Sequence, residues 1–284
     1  MAEKLANAIS PDPLISCEFD GFKVEEKVGR GGMASIYRGS DAAGKSVALK
    51  VLFEEYQRMD KIASQFMNEA LVIENVSHPN VVRGLGHGVI DGATPYIAME
   101  YIDGIDLHSQ LQHEKLPPRL ALEIIREVCM GLEAVHEAGV IHRDLKPANI
   151  MLAEDRAVLI DFGICKPALA KKGNDWSGTI YGTINYVAPE QTIGENYDRR
   201  SDIYSLGVAA YRAVCGVLPI ESDDIAHLMQ LIRMMVPPEP SRQVAGVPDA
   251  VDRIIMRALS KEPGARFQSA TEMAQEIEKF LSET

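Results

Sequence analysis

Apolar and polar positions divide this chain into a strand-patterned first part and a helix-patterned remainder. Phe22, Val24 and Val28 alternate with lysines and glutamates, the period of a half-buried strand. A glycine-rich turn, Gly29-Arg30-Gly31-Gly32, follows. After a second turn over 41–44, Val47-Ala48-Leu49 runs as a strand ending on Lys50. Ile62, Phe66, Ala70 and Ile73 then recur at helical spacing and predict a helix over about 61–76 with that stripe inward. His78-Pro79-Asn80 ends it, and residues 81–89 and 95–99 read as strands joined at Asp91-Gly92. These strands make a small antiparallel sheet.

Beyond residue 103 the period changes. Leu120, Ile124, Val128, Leu132 and Val135 share one helix face, with Gly139 as the stop. Ile150-Met151-Leu152 and Val158-Leu159-Ile160 flank the polar corner Glu154-Asp155-Arg156, which predicts a hairpin. A helix opens near Ser201, read as its N-cap, and amphipathic helices are expected over about 248–260 and 270–281. The first 20 residues, broken by Pro11 and Pro13, read as an extension or linker. The predicted organisation is an extension (1–20), a β-rich lobe (21–102) and a mainly helical lobe (103–284), an α+β chain with its ligand between the lobes.

Composition narrows the classes. A chain of 284 residues with 46% hydrophobic and 25% charged residues is an ordinary globular one. Its net charge of −12 argues against a nucleic-acid partner, since phosphate backbones need basic faces. No window approaches the roughly 18 apolar residues of a membrane span, and residues 1–10 have too short an apolar core for a signal peptide. The four cysteines, Cys17, Cys129, Cys165 and Cys215, are scattered without a CxxC pair, as in a reduced cytoplasm, the expected location.

The chemistry gathers at the hairpin. A hairpin brings its ends together, so Asp144, Lys146, Asn149 and Asp161 should meet at one mouth. Asn149 and Asp161 offer oxygens to a hard cation, beside a further carboxylate and a lysine, a set suited to phosphoryl transfer. For any single one of these residues a solvated turn is the plainer explanation; the whole string at this spacing is another matter.

His142-Arg143-Asp144-Leu145-Lys146-Pro147-Ala148-Asn149 followed by Asp161-Phe162-Gly163 resembles the catalytic signature of the protein kinase family, and the resemblance runs from about residue 20 to 282. Val47-Ala48-Leu49-Lys50 is similar to the family's phosphate-binding lysine strand, with Glu69 as its ion-pair partner. The glycine turn departs from the family's pattern, with Ala34 at the third glycine and Ile36 for a valine; Gly-Gly-Met resembles the bacterial eukaryotic-like serine/threonine class.

The resemblance implies a two-lobed fold and an ATP pocket drawn from Gly29, Gly31, Gly32, Ile36, Ala48, Lys50, Glu100, Ile102, Asp106 and Met151. In it the backbone of residues 99–102 meets adenine and Asp106 meets the ribose. It implies Mg²⁺ on Asn149 and Asp161, a catalytic Asp144 that accepts the substrate hydroxyl proton, and Lys146 on the γ-phosphate. Gly84 replaces a bulky residue that stacks on the phenylalanine matching Phe162, which implies loose packing there.

The stretch from Ser177 to Glu190 resembles an activation segment closed by Ala188-Pro189-Glu190, with Thr179 and Ser177 as phosphosites and Arg143 as the phosphate's partner. Asp202 and Arg266 resemble the residues that hold the catalytic loop and Glu190. Lys146 and Thr183 imply serine/threonine specificity. The implied activity is ATP-dependent phosphorylation of protein serines and threonines, with self-association for autophosphorylation. A nucleotide-binding pseudokinase or scaffold is the alternative; it would predict loss at Lys50, Asp144, Asn149 or Asp161, and none is lost. Ala148 and Arg212, at positions that read the acceptor peptide, imply no strong need for upstream arginines, and Val187 implies an apolar residue after the acceptor.

Overall fold

The computed structural model describes residues 12–162, 184–194 and 198–283. The chain forms two compact units, one from the N-terminal part to Glu74 together with Gly84–Tyr101, the other from Asn75–Arg83 together with Ile102 onward.

The first unit is built on a six-stranded antiparallel sheet. Its strands are β1 (Glu18–Phe19), β2 (Phe22–Arg30), β3 (Ala34–Ser40), β4 (Ser46–Leu52), β5 (Gly84–Ile90) and β6 (Thr94–Glu100), in the order β1-β2-β3-β4-β6-β5. β4 lies inside the sheet, and its run Val47, Ala48, Leu49 is buried, which is why it reads as continuously apolar rather than alternating. Two helices belong here, the short α1 (Glu54–Gln57) and α2 (Asp60–Asn75). The inward face of α2 is Phe66, Glu69, Ala70 and Ile73.

Two expectations change in this unit. Residues 12–20 do not run free as a linker. Ser16 N donates to Val24 O and Val24 N to Cys17 O, both at 2.9 Å, while Leu14 packs against the sheet core. Asp12 accepts from the Tyr37 hydroxyl at 2.9 Å and Asp20 from the Tyr96 hydroxyl at 2.6 Å, so two carboxylates strap the segment to the sheet. The strand expected from residue 81 begins at Gly84. Val82 N donates instead to Leu159 O and Leu159 N to Asn80 O, both at 2.9 Å, because buried Val81 and Val82 pack in the second unit.

The second unit is mainly helical. β7 (Gly104–Asp106), β8 (Ile150–Ala153) and β9 (Ala157–Leu159) form a three-stranded antiparallel sheet, in which β8 and β9 are the predicted hairpin. Around it stand α3 (Leu107–His113), α4 (Pro118–Glu137), α5 (Arg199–Cys215), α6 (Ile225–Met234), α7 (Pro240–Gln243), α8 (Asp249–Ala258) and α9 (Ala270–Glu283). Nearly every residue of α5 is buried, so α5 is the core against which α4 and α8 pack. A helix buried on all sides carries no amphipathic stripe. Its N-cap is Asp198, whose carboxylate accepts from Arg200 N, and not Ser201. Ser201 lies in the first turn and donates its hydroxyl to Glu190 Oε1 at 2.6 Å. The αL glycine Gly216 (φ 78°) ends the helix.

Candidate active site

Asp202, near the start of α5, organises the loop that enters the hairpin. Its Oδ2 accepts from His142 N at 2.8 Å and its Oδ1 from Arg143 N at 2.9 Å; His136 Nε2 lies 2.8 Å from Oδ2. Arg143 sits at φ 67° and Asp161 at φ 52°, a region that costs residues with a Cβ about 1–3 kcal/mol. The backbone at both ends of the hairpin is therefore held in strained conformations by the contacts around it. The His142 ring packs on Phe162 with centroids 4.9 Å apart, and burial holds its pKa below the ordinary histidine value in spite of three nearby aspartates. His142 stays neutral and accepts at Nδ1 from Asp144 N at 3.4 Å, a long bond.

The four predicted residues of this loop do meet. Asn149, in a single 3₁₀ turn (Pro147–Asn149), donates through Nδ2 to Asp144 O (2.8 Å), Asp144 Oδ2 (3.1 Å) and Asp161 O (3.3 Å). Lys146 Nζ lies 3.0 Å from Asp144 Oδ2. One amide nitrogen thus ties both carboxylate-bearing ends of the hairpin. Among the described residues no group of three or more His, Cys, Asp or Glu could hold a metal ion alone. One carboxylate and one amide oxygen suit Mg²⁺, which keeps waters and substrate phosphates in its shell.

In the first unit Lys50 Nζ lies 2.7 Å from Glu69 Oε1, with both side chains largely buried. Lys50 pairs across the sheet with Ile36, Ala48 with Met99, and Gly29 with Ile36. Gly31 N donates to Ala34 O at 2.8 Å and closes the turn that also holds Gly32. Ala34 opens β3 with its methyl buried, so the missing third glycine is accommodated by the strand itself. Glu100 ends β6, and Ile102 follows in the second unit. Met151 is half-buried in β8 opposite Asp106. Asp106 itself caps α3, accepting from Ser109 N at 2.9 Å and from the Ser109 hydroxyl at 2.6 Å. The Asp-x-x-Ser spacing carried that capping signal.

Other supports had no sequence signal. Asn80 Nδ2 donates to Ala157 O at 2.8 Å, fastening the segment after α2 to the hairpin. His136, 66 residues from Asp202, is found only once the fold brings α4 and α5 together. Gly163, Cys165, Ser177, Thr179 and Thr183 lie outside the described residues. The remaining cysteines are free thiols, Cys129 and Cys215 buried and Cys17 exposed.

The family model described as the protein kinase domain matches residues 22–277. The chain is 38% identical to the serine/threonine-protein kinase PknB of Mycolicibacterium smegmatis, over 91% of this chain and 42% of the relative. It is 34% identical to the serine/threonine-protein kinase Pkn1 of Myxococcus xanthus, over 96% of this chain and 40% of that protein. It therefore spans about two fifths of the length of these relatives.

Proposed function

This chain belongs to the protein kinase domain family, and we propose that it transfers the γ-phosphate of ATP to serine and threonine hydroxyls of proteins. The observation that carries this reading is the Asp144–Lys146–Asn149–Asp161 cluster, in which Asn149 links the two aspartate-bearing ends of one loop. Residues 21–102 and 103–284 act as the two kinase lobes.

Phosphoryl transfer needs in-line positioning and neutralised charge more than covalent help from protein. Asp144 faces the acceptor hydroxyl, orients it and takes its proton. Lys146, paired with Asp144, places positive charge where the γ-phosphate arrives. Mg²⁺ held by Asn149 and Asp161 would neutralise phosphate oxygens. Lys50, kept in line by Glu69, binds the α- and β-phosphates, and the backbone N–H groups of the Gly29–Gly32 turn cover them, since no Cβ stands in the way. The backbone around Glu100 and Ile102 meets adenine and Asp106 meets the ribose.

The partners are protein substrates, with transient self-association for autophosphorylation, and the location is cytoplasmic. Among the described residues no helix is long and apolar enough to cross a membrane. The test is transfer of labelled phosphate from ATP with Mg²⁺ to a generic protein acceptor. Phosphoserine and phosphothreonine in the acceptor are expected; nucleotide binding without transfer would favour a pseudokinase.

A further inference from the structure

Gly84 opens β5 directly against the end of α2. A Cβ at Gly84 would lie 2.8 Å from the Glu74 backbone nitrogen, 2.8 Å from Glu74 Cγ and 2.9 Å from the Ile73 carbonyl carbon. The end of α2 therefore occupies the space that a side chain at this position would need. Two of the three atoms are helix backbone, which cannot rotate aside as a side chain can. The φ of Gly84 lies outside the left-handed range, so an added methyl would meet steric resistance alone.

The same helix end also carries a side-chain hydrogen bond to the strand. His87, three residues along β5, places Nδ1 2.7 Å from Glu74 Oε1. Glu69 lies on the buried face four residues before Ile73, one turn along the helix. Whatever sets the seat of residues 73 and 74 on the strand therefore sets the reach of Glu69 to Lys50. We propose that Gly84, with His87, is a positioning residue for the Lys50–Glu69 pair: the missing side chain fixes the depth at which α2 rests on the sheet.

Bringing contacts of 2.8 Å to an ordinary separation of about 3.5–4.0 Å would move the helix end by about 1 Å. A misplacement of that size can cost on the order of 10²-fold in rate. The activity arm rests on the kinase reading; a structural arm does not.

The experiment compares the parent with Gly84→Ala, His87→Ala, Glu69→Gln and the Gly84→Ala/Glu69→Gln double variant, with Gly88→Ala as control. The atoms nearest a Cβ at Gly88 belong to Tyr96 and Asp20. Crystal structures should place Lys50 and Glu69 beyond hydrogen-bonding reach, about 3.2 Å, in Gly84→Ala, and leave the pair intact in Gly88→Ala. Values of kcat/KM should fall about 10- to 100-fold in Gly84→Ala and a few-fold in His87→Ala. The double variant should be no worse than Glu69→Gln alone. A pair still at the parent's distance in Gly84→Ala, or additive losses in the double variant, overturns the proposal. Should Gly84→Ala fail to fold, His87→Ala decides, since it frees the helix end without adding bulk; unchanged pairing and activity there overturn it equally. A parent that transfers no phosphate removes the kinase reading, and the Lys50–Glu69 distance then decides alone.

Discussion

Arg266 grips Glu190 with both ends of its guanidinium, Nη1 to Oε1 and Nη2 to Oε2, each at 2.8 Å. The Arg266 side chain is fully buried and also donates to the carbonyls of Ser260, Arg200 and Lys261. A polar knot thus joins the 3₁₀ turn Pro189–Ile193, the start of α5 and the loop before α9.

Removing one member should be costly. Arg266→Ala leaves a buried carboxylate unpaired and should destabilise the fold by about 3–5 kcal/mol in denaturant unfolding. Burial alone would raise the pKa of Glu190, but the hydrogen bonds from Arg266 and Ser201 and the charge of Arg266 outweigh it and hold the pKa below 4.5. A depressed folded pKa means the stabilisation is present above the unfolded value and is lost as pH falls through the folded one. Stability against pH should therefore decline in the parent below pH 4.5, and that decline should shrink in Glu190→Gln. Identical acid limbs in the two proteins would contradict the assignment.

Asp144→Asn should reduce transfer by about 10²–10⁴-fold while nucleotide affinity stays close to the parent's. The reason is that Asp144 is assigned to the acceptor hydroxyl and not to adenine or the α- and β-phosphates. Steady-state rates and nucleotide titration on the same preparation check both halves; a matching loss of ATP affinity would reassign the residue.

Incubation with Mg²⁺ and ATP should phosphorylate Thr179 or Ser177. A phosphate adds about −1.5 to −2 charge and can order a segment by pairing with Arg143. Peptide mass spectrometry identifies the site. Thr179→Ala/Ser177→Ala with parental activity would place regulation elsewhere.

Acceptor peptides should need no arginine immediately before the acceptor. Arg212 Nη1 contacts the Tyr186 hydroxyl at 2.7 Å and His108 Nδ1 at 3.1 Å, both uncharged partners, so its positive charge is not cancelled through them. Burial lowers the pKa of His108, with the charge of Arg212 adding to the effect, so His108 stays neutral. The net charge of −12 acts at long range and is screened beyond roughly 8 Å at physiological salt. A positional peptide array reads this directly, and strict dependence on upstream arginines would refute it.

Patterns of residue type along the chain determined much of this protein by themselves. Alternation marked β2, although Val28 is exposed where register shifts break the pattern; the helical stripe marked α2 with Glu69 beside it, and the spacing from Asp144 to Asp161 brought four chemical residues to the ends of one hairpin. These are local features, set by periods of two and 3.6 and by turn chemistry within about 20 residues. Tertiary structure decided what depends on neighbours distant in sequence. Ser201 looked like a cap because a serine before an apolar run usually is one; Asp198 has that role, and Ser201 donates to Glu190, the carboxylate that Arg266 also holds. Residues 81–83 looked like strand because valines favour strands, but Leu159 of the second unit claimed their backbone. Gly84 read as a missing side chain, and only packing revealed that the space was filled by a helix. Sequence specifies which groups can pair; chain crossings determine which partner arrives, because a buried polar group keeps only a partner that the packing places within reach.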